Sequence, residues 1–223
     1  MDQVREKPWL AHYDPGVPPE IQVPDIPLWR FLEESARRFP QNVALEFLGK
    51  TLSYQELWGL ARRFAQGLKD LGVRPGDRVA IMLPNSPQFV IAFYGTLLAG
   101  GVGVNTNPLY TPRELRHQLA DAGAETLVIL DHLLPRYLEV EKEVPVKRVV
   151  VTGIKDFLPF PKNLLYPLKA KRDGLPLGFP KREGFHAFAE LLKRPPAEPH
   201  VPDPEDLALL QYTGGTTGLA KGA

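Results

Sequence analysis

The sequence predicts an α/β fold, with a doubly wound, mostly parallel sheet that has helices on both faces. The first observation is that, from Arg78 onward, short apolar segments alternate with helical segments. The second is that these short segments are apolar throughout, which is typical of strands buried on both faces of a parallel sheet. The third is the composition, 43% hydrophobic and 24% charged, which is that of a globular protein.

Residues 1–76 are predicted to form an N-terminal arm, a helix, a hairpin and a second helix. Proline is frequent in residues 1–27, which favours an irregular arm. Ser53 and Glu56 have the spacing of a capping box at the start of the second helix, and Gly72 is a natural residue to end it. We expect the helix and the hairpin before Arg78 to pack on elements outside this chain. The other predicted elements are a helix that begins after Pro27 with the apolar stripe Trp29, Phe31, Leu32 and Phe39, and hairpin strands at 43–48 and 51–54 around a Gly49-Lys50 turn.

Residues 77–223 are predicted to form the αβ layer. Ser86 and Thr111 each precede a proline, the pattern of an N-cap followed by proline at the first helical position. Residues 102–117 are interpreted as a strand, a turn and a cap, with substrate contact as the alternative. The predicted strands are 79–83, 102–104, 126–130, 147–151 and 207–212, and the predicted helices begin at Pro87, Pro112 and His132 and end at Ala99, Gly123 and Glu143.

The segment 157–172 is apolar and basic, with four Lys or Arg residues and no acidic residue. Its prolines at 159, 161 and 167 argue against a continuous amphipathic helix, so we expect a proline-rich loop over the core. Docking on an anionic membrane surface is the alternative. Five prolines in residues 195–204 predict an extended surface segment.

Composition excludes several kinds of site. Lys plus Arg is 27 and Asp plus Glu is 26, so the formal charge of +1 offers no electrostatic basis for nucleic-acid binding. The absence of cysteine excludes disulfides, thiolate nucleophiles and cysteine zinc sites. The five histidines lack metal-ligand spacing, and no serine lies in a Gly-x-Ser-x-Gly motif. The longest mostly apolar stretch, 89–104, is interrupted at Gly100-Gly101 and is shorter than the roughly 20 residues of a membrane span.

The strongest chemical signal is the loop after the last predicted strand. It contains Gly214, Gly215, Gly218 and Gly222, Thr213, Thr216 and Thr217, and Lys221. Glycine backbone, hydroxyl groups and a lysine are the donors that an oligophosphate needs. The pattern is neither a Walker A loop nor Gly-x-Gly-x-x-Gly. A flexible linker is the alternative, although a linker has no need of the threonines and the lysine.

Residues 212–222 resemble the phosphate-loop signature of the adenylate-forming superfamily, which joins acyl-CoA synthetases, peptide adenylation domains and luciferases. The chain departs from the usual pattern at Gly214, which stands for serine, and at Ala220, which stands for proline. This variant, with Asn-Pro-Leu-Tyr-Thr-Pro-Arg-Glu-Leu at 107–115, resembles the bacterial long-chain fatty-acid–CoA ligase branch. Further similar segments are 52–57, 76–80 and 204–208.

The resemblance implies part of the N-terminal domain of an adenylate-forming enzyme, which we expect to be inactive alone. It implies that a fatty acid reacts with ATP, in the presence of Mg²⁺, to give acyl-adenylate and pyrophosphate, and that coenzyme A then displaces AMP to give acyl-CoA. By motif position, the phosphates would be held by Thr213, Gly214, Gly215, Thr216, Thr217, Gly218 and Lys221. Lys221 and Thr217 would be catalytic, and Thr213 would lie near Mg²⁺.

Further expectations concern location, partners, alternative functions and the mobility of the loop. We expect a cytoplasmic protein that does not bind nucleic acid, while contact with the inner membrane face and a homodimer stay open. The alternative functions are another adenylate-forming enzyme, such as an acyl-AMP ligase, a flavodoxin-like module without catalysis, and a stand-alone truncated protein. Without nucleotide, we expect residues 213–223 to be mobile and Tyr212 to be ordered.

Overall fold

A computed structural model describes residues 7–213 and 221–223. The helices are α1 Trp29–Arg38, α2 Tyr54–Asp70, α3 Pro87–Ala99, α4 Pro112–Ala122, α5 Leu134–Leu138, α6 Lys162–Arg172 and α7 Phe188–Leu191. The strands are β1 Val43–Phe47, β2 Lys50–Ser53, β3 Arg78–Met82, β4 Val102–Asn105, β5 Thr126–Leu130, β6 Arg148–Thr152, β7 Phe185–Ala187, β8 Leu209–Thr213 and β9 Lys221–Gly222. Short 3₁₀ helices lie at Pro8–His12, Asp131–Leu133 and Ile154–Phe157.

The predicted parallel sheet is confirmed. Its strand order is β7-β6-β5-β3-β4-β8-β9, and all neighbours are parallel except β8 and β9. The central strands β3 and β5 are apolar and buried from their second residue onward, as expected for strands covered on both faces. β1 and β2 form a separate antiparallel hairpin.

Helices cover both faces of the sheet, as the sequence predicts. The connection from β3 to β4 and the connection from β4 to β5 run in opposite directions, so right-handed crossovers put α3 and α4 on opposite faces. α2 packs with α3 and with α7, and α5 packs with α4. One hydrophobic core includes Phe64 from α2, Ile81 from β3 and Tyr137 from α5.

The expectation that the helix and the hairpin before Arg78 pack outside this chain is wrong for α2, the helix directly before Arg78. Phe64 is fully buried between α2, α3 and α7, and its ring lies 4.6 Å from that of Phe188, centroid to centroid. Gly95 of α3 permits this approach, because a Cβ there would lie only 2.7 Å from Cδ1 of Phe64. α2 is therefore a core helix of this chain.

Local details of α1 and of the hairpin turn differ from the sequence predictions. In α1, Trp29, Leu32 and Ala36 are buried, whereas the predicted stripe residues Phe31 and Phe39 are about half exposed. The hairpin turn lies one residue earlier than predicted, because Leu48 and Gly49 both adopt positive φ and Lys50 already belongs to β2. Positive φ at two central residues is the geometry of a tight hairpin turn.

Two segments of the second half also differ. The helix predicted over 132–143 is reduced to a 3₁₀ turn and α5, because the chain turns at Val140 and Val144, both buried, before β6. The predicted loop at 157–172 is wrong: α6 forms an 11-residue helix with Pro167 inside it. β7 and α7 were not predicted, since elements of three and four residues are too short for hydrophobic periodicity to reveal. Among the described residues, no helix is both long enough and apolar enough to cross a membrane.

Candidate functional site at the carboxyl end of β8

The carboxyl ends of β3, β4 and β8 meet at one edge of the sheet, because these neighbouring strands are parallel. Ligands of open α/β sheets bind outside this edge. β8 pairs with β4 through Leu210 and Val104, so the last residues of β8 emerge beside the end of the β4 strand. The predicted phosphate loop therefore starts at the edge where a ligand is expected.

Thr213 and Lys221 are the two predicted site residues that the structure describes, and it brings them together. They are Cα partners in the antiparallel β8–β9 pair. Gln211 and Ala223 close the same ladder by exchanging two backbone hydrogen bonds of 2.9 and 3.0 Å. Because directly opposed residues share one face of a ladder, the Thr213 hydroxyl and the Lys221 ammonium lie on the same side, and both residues are exposed.

The other predicted site residues lie in residues 214–220, outside the described residues. They are Gly214, Gly215, Thr216, Thr217 and Gly218. The expectation of mobility over 213–223 is thus not tested there. Thr213 and 221–223 belong to a hydrogen-bonded ladder that the sequence did not predict, and their mobility stays a prediction.

Tyr212 joins three elements at the base of this loop. Its ring lies against Gly222, where a Cβ would come within 3.0 Å of both Cε2 and Cζ. The Tyr212 hydroxyl donates a 2.6 Å hydrogen bond to Oδ2 of Asp121, in the last turn of α4. Burial raises the pKa of the Tyr212 phenol, and the hydrogen bond to the Asp121 carboxylate and its charge raise it further. Tyr212 therefore stays protonated and ties β8 to β9 and to α4.

A second set of polar contacts holds the ends of β4 and β8 in register. The Asn105 amide donates to Oε1 of Gln211 at 2.9 Å, and the Gln118 amide donates to the Asn105 carbonyl at 2.8 Å. The buried amide oxygens of Asn105 and Gln118 have no hydrogen-bond partner within the described part of the chain. Sequence reasoning did not identify Asn105, Gln118, Asp121 or Gln211 as site residues, because their contacts join distant parts of the chain.

The segment after β4 has the capping geometry that its sequence predicts. Thr111 accepts from the backbone N–H of Glu114, and the Glu114 carboxylate accepts from the N–H of Thr111. The N–H and the hydroxyl of Thr111 both donate to the Glu114 carboxylate, and these two hydrogen bonds lower its pKa. Arg136 of α5 donates to the carbonyls of Pro108 and Tyr110 at 2.5 and 3.1 Å, so this turn is fixed from the neighbouring helix.

The donors at the carboxyl end of β8 are of the kind that bind phosphate. Thr213 offers a hydroxyl group and Lys221 a positive charge, placed at the two ends of a glycine- and threonine-rich segment. Among the described residues, no group of three His, Asp or Glu side chains could hold a metal ion. Mg²⁺ at phosphate sites typically keeps few protein ligands and is bound largely by phosphate oxygens and water, so the residues present fit a Mg²⁺–nucleotide.

The sequence matches the family described as AMP-binding enzyme over residues 32–223. The chain is 44% identical over 221 residues to a long-chain-fatty-acid–CoA ligase of Bacillus subtilis (strain 168), covering 97% of this chain and 39% of the relative. It is 39% identical over 228 residues to the enzyme of the same name from Escherichia coli O157:H7, covering 98% of this chain and 40% of the relative. The chain thus spans about two fifths of the length of these relatives.

The fold has close counterparts among solved structures. The crystal structure of a long-chain-fatty-acid-CoA ligase from Archaeoglobus fulgidus matches with a TM-score of 0.71 and 26% identity, covering 92% of this chain and 37% of that one. The apo structure of MbtA from Mycobacterium smegmatis matches with a TM-score of 0.72 and 32% identity, covering 89% of this chain and 33% of that one.

Proposed function

The chain belongs to the AMP-binding enzyme family, and on that premise we propose that the whole protein activates a long-chain fatty acid. The fatty acid carboxylate attacks the α-phosphorus of ATP, which gives acyl-adenylate and releases pyrophosphate. The thiol of coenzyme A then displaces AMP and forms the acyl thioester. The observation that carries the proposal is the pairing of Thr213 with Lys221 at the carboxyl end of β8. The relatives named long-chain-fatty-acid–CoA ligase support the choice of acid.

The residues of this chain would act by electrostatics and position. Negative charge grows on the pyrophosphate as it leaves, and fixed donors with a lysine stabilise such charge. We assign this role to Lys221 together with Thr216, Thr217 and the backbone of Gly214, Gly215 and Gly218. Mg²⁺, when bound, neutralises phosphate charge, and Thr213 is the residue of this chain that we propose beside it. We further propose a cytoplasmic protein.

The β8–β9 ladder, which holds the two ends of the loop together, supports this assignment. Because Thr213 and Lys221 are held opposite each other by the ladder, they need not be ordered when nucleotide binds. The entropic cost of bringing the two ends of the loop together is then met when the protein folds. A larger part of the free energy of nucleotide binding is therefore available from contacts with the phosphates. Tyr212 maintains this arrangement through Gly222 and Asp121.

The test is ATP–pyrophosphate exchange by the protein expressed from its complete gene, with acetate, medium-chain and long-chain fatty acids. We expect exchange that depends on a long-chain acid, and coenzyme A should convert the adenylate into thioester. Absence of exchange with every fatty acid would overturn the proposal. Accumulation of acyl-adenylate that coenzyme A does not consume would identify an acyl-AMP ligase instead.

A further inference from the structure

The helix α6 presents an apolar stripe to solvent. It contacts the rest of the protein through one side, where Ala170 is buried and Tyr166 is partly buried. Three leucines of α6 lie on the opposite side, at spacings of one and four residues from the first, and an exposed phenylalanine lies in the turn before the helix. They are Phe160, Leu164, Leu165 and Leu168, with exposed fractions of 78, 65, 57 and 69%.

Such a stripe differs from the scattered apolar residues of an ordinary surface. Single exposed leucines are normal, but contiguous exposed apolar patches mark a surface that binds something. The basic residues beside the stripe indicate the charge of that partner. Residues 157–172 include Lys162, Lys169, Lys171 and Arg172 and no acidic residue, although the whole chain carries a formal charge of only +1.

Most of this positive charge is not neutralised by the protein. Within the described part of the chain, Lys169 and Lys171 form no ion pair, and Lys162 donates to the Leu48 carbonyl, which leaves its charge in place. Arg172 has a carboxylate partner, Asp173, at 3.5 Å. At 100° per residue, Lys171 and Arg172 follow Leu168 by three and four positions and so extend the apolar stripe on the same side.

A cavity beside α6 has the same mixed character. It has a volume of about 310 Å³ and lies between α6, the hairpin turn and the 3₁₀ turn after β6. Its lining residues are Leu48, Ile154, Leu158, Leu165 and Tyr166, together with Lys162 and Lys169. Apolar walls with two cations match an anionic amphiphile better than a polar metabolite.

We propose that the α6 surface, formed by Phe160, Leu164, Leu165, Leu168, Lys169, Lys171 and Arg172, docks on an anionic lipid bilayer. The helix lies in the plane of the interface, with its leucines among the upper acyl chains and its cations at the lipid phosphates. Its 11 residues are too few to span the bilayer, so the contact is peripheral. The inference does not depend on the proposed activity, because it needs neither ATP nor turnover.

The test is co-sedimentation of the protein from its complete gene with vesicles, in the absence of nucleotide. One set of vesicles is phosphatidylcholine alone and the other contains phosphatidylglycerol as well. We expect binding to the anionic vesicles that weakens as salt is added, because surface charges are screened. Lys169→Gln with Lys171→Gln should weaken this binding on the order of thirtyfold, since each cation near an anionic surface contributes a similar increment.

Two double variants with the same added charge distinguish a loss of binding at the α6 surface from a general effect of added negative charge. Leu164→Glu with Leu168→Glu should abolish binding, whereas Val201→Glu with Leu207→Glu should not, although both pairs replace exposed apolar residues and add the same charge. All four positions are exposed, so thermal unfolding should be nearly unchanged.

An equal loss of vesicle binding in both double variants, or no binding of the wild type to anionic vesicles, would overturn the proposal. A wild-type dimer in sedimentation velocity that the Leu164 and Leu168 pair dissociates, without vesicle binding, would instead identify an interface between two copies.

Discussion

The ring of Tyr212 lies against Gly222, its direct partner across the β8–β9 ladder. Gln211 and Ala223, one position away, exchange both backbone hydrogen bonds, so Tyr212 and Gly222 form the closer, non-hydrogen-bonded kind of pair, with Cα atoms about 4.5 Å apart. A side chain at residue 222 would occupy the volume of the ring. The glycine that follows Lys221 is therefore required by a neighbour, and its φ is not in the positive region.

Gly222→Ala should impair adenylation through this contact. The added Cβ must displace the Tyr212 ring or separate β9 from β8, and either change moves Lys221 away from Thr213. We expect a lower rate of ATP–pyrophosphate exchange in the complete protein. In the Tyr212→Ala background, where the ring is absent, the same substitution should have little further effect. A full additional loss in that background would show that the ring is not the cause.

Tyr212→Phe should lower the free energy of unfolding by about 1 kcal/mol, because it removes one hydrogen bond to Asp121. The substitution should also change how the free energy of unfolding depends on pH in alkaline solution. The pKa of Tyr212 is raised in the folded protein, so above about pH 10 the unfolded chain loses this proton while the folded chain keeps it. The stabilisation that the protonated Tyr212 provides is therefore complete below pH 10 and is lost as the pH rises above it. Urea unfolding between pH 8 and 11 should show a shallower decline in Tyr212→Phe than in the wild type.

Lys221→Ala should reduce kcat for adenylation by about a hundredfold, or on the order of 3 kcal/mol, with little change in fatty-acid affinity. The lysine is expected to interact most strongly with charge that grows as pyrophosphate leaves, so it acts on the transition state. Lys193→Ala is the matched control, because Lys193 is an exposed lysine that pairs with Glu190. Equal rates for Lys221→Ala and the wild type would reject the assignment.

Gly67→Ala should destabilise the fold by about 1–3 kcal/mol. A Cβ at Gly67 of α2 would lie 2.5 Å from the Cβ of Leu191 and 2.9 Å from its Cα, so α7 would have to move. Gly59→Ala in the same helix meets no atom within 4 Å and should stabilise by about 0.5–1 kcal/mol through helix propensity. Denaturant midpoints that shift in the same direction for both variants would contradict the packing explanation.

His186 should make stability fall in mild acid. Burial lowers the pKa of His186, and the charge of Arg148 lowers it further. As the pH falls from 7 to 5, the unfolded chain binds a proton near pH 6.5 that the folded chain resists, so the free energy of unfolding decreases. His186→Gln should flatten this dependence. His12→Gln, in the exposed N-terminal arm, is the control and should retain the wild-type slope.

Elements whose signals lie within a few residues could be predicted from the sequence. The capping boxes Ser53–Glu56 and Thr111–Glu114 form as their spacing indicates. Gly72 ends α2 with the positive φ expected of it. The apolar segments of the core became the parallel strands, since a segment buried on both faces has few alternatives. The loop motif at 212–222 likewise identified the family without any structure.

Features that depend on contacts between residues distant in the sequence were decided by the tertiary structure. Pro167 predicts a break, yet α6 continues through it, and Ala170 in the next turn is buried against the rest of the protein. The Asp121–Tyr212 hydrogen bond joins residues 91 positions apart, and no local pattern signals it. The sequence by itself therefore determined the main strands and helices of the parallel sheet layer, the family and the chemical groups of the loop. Only the folded chain decided that Thr213 and Lys221 face each other, because their positions depend on the sheet edge, α4 and the ring of Tyr212 together.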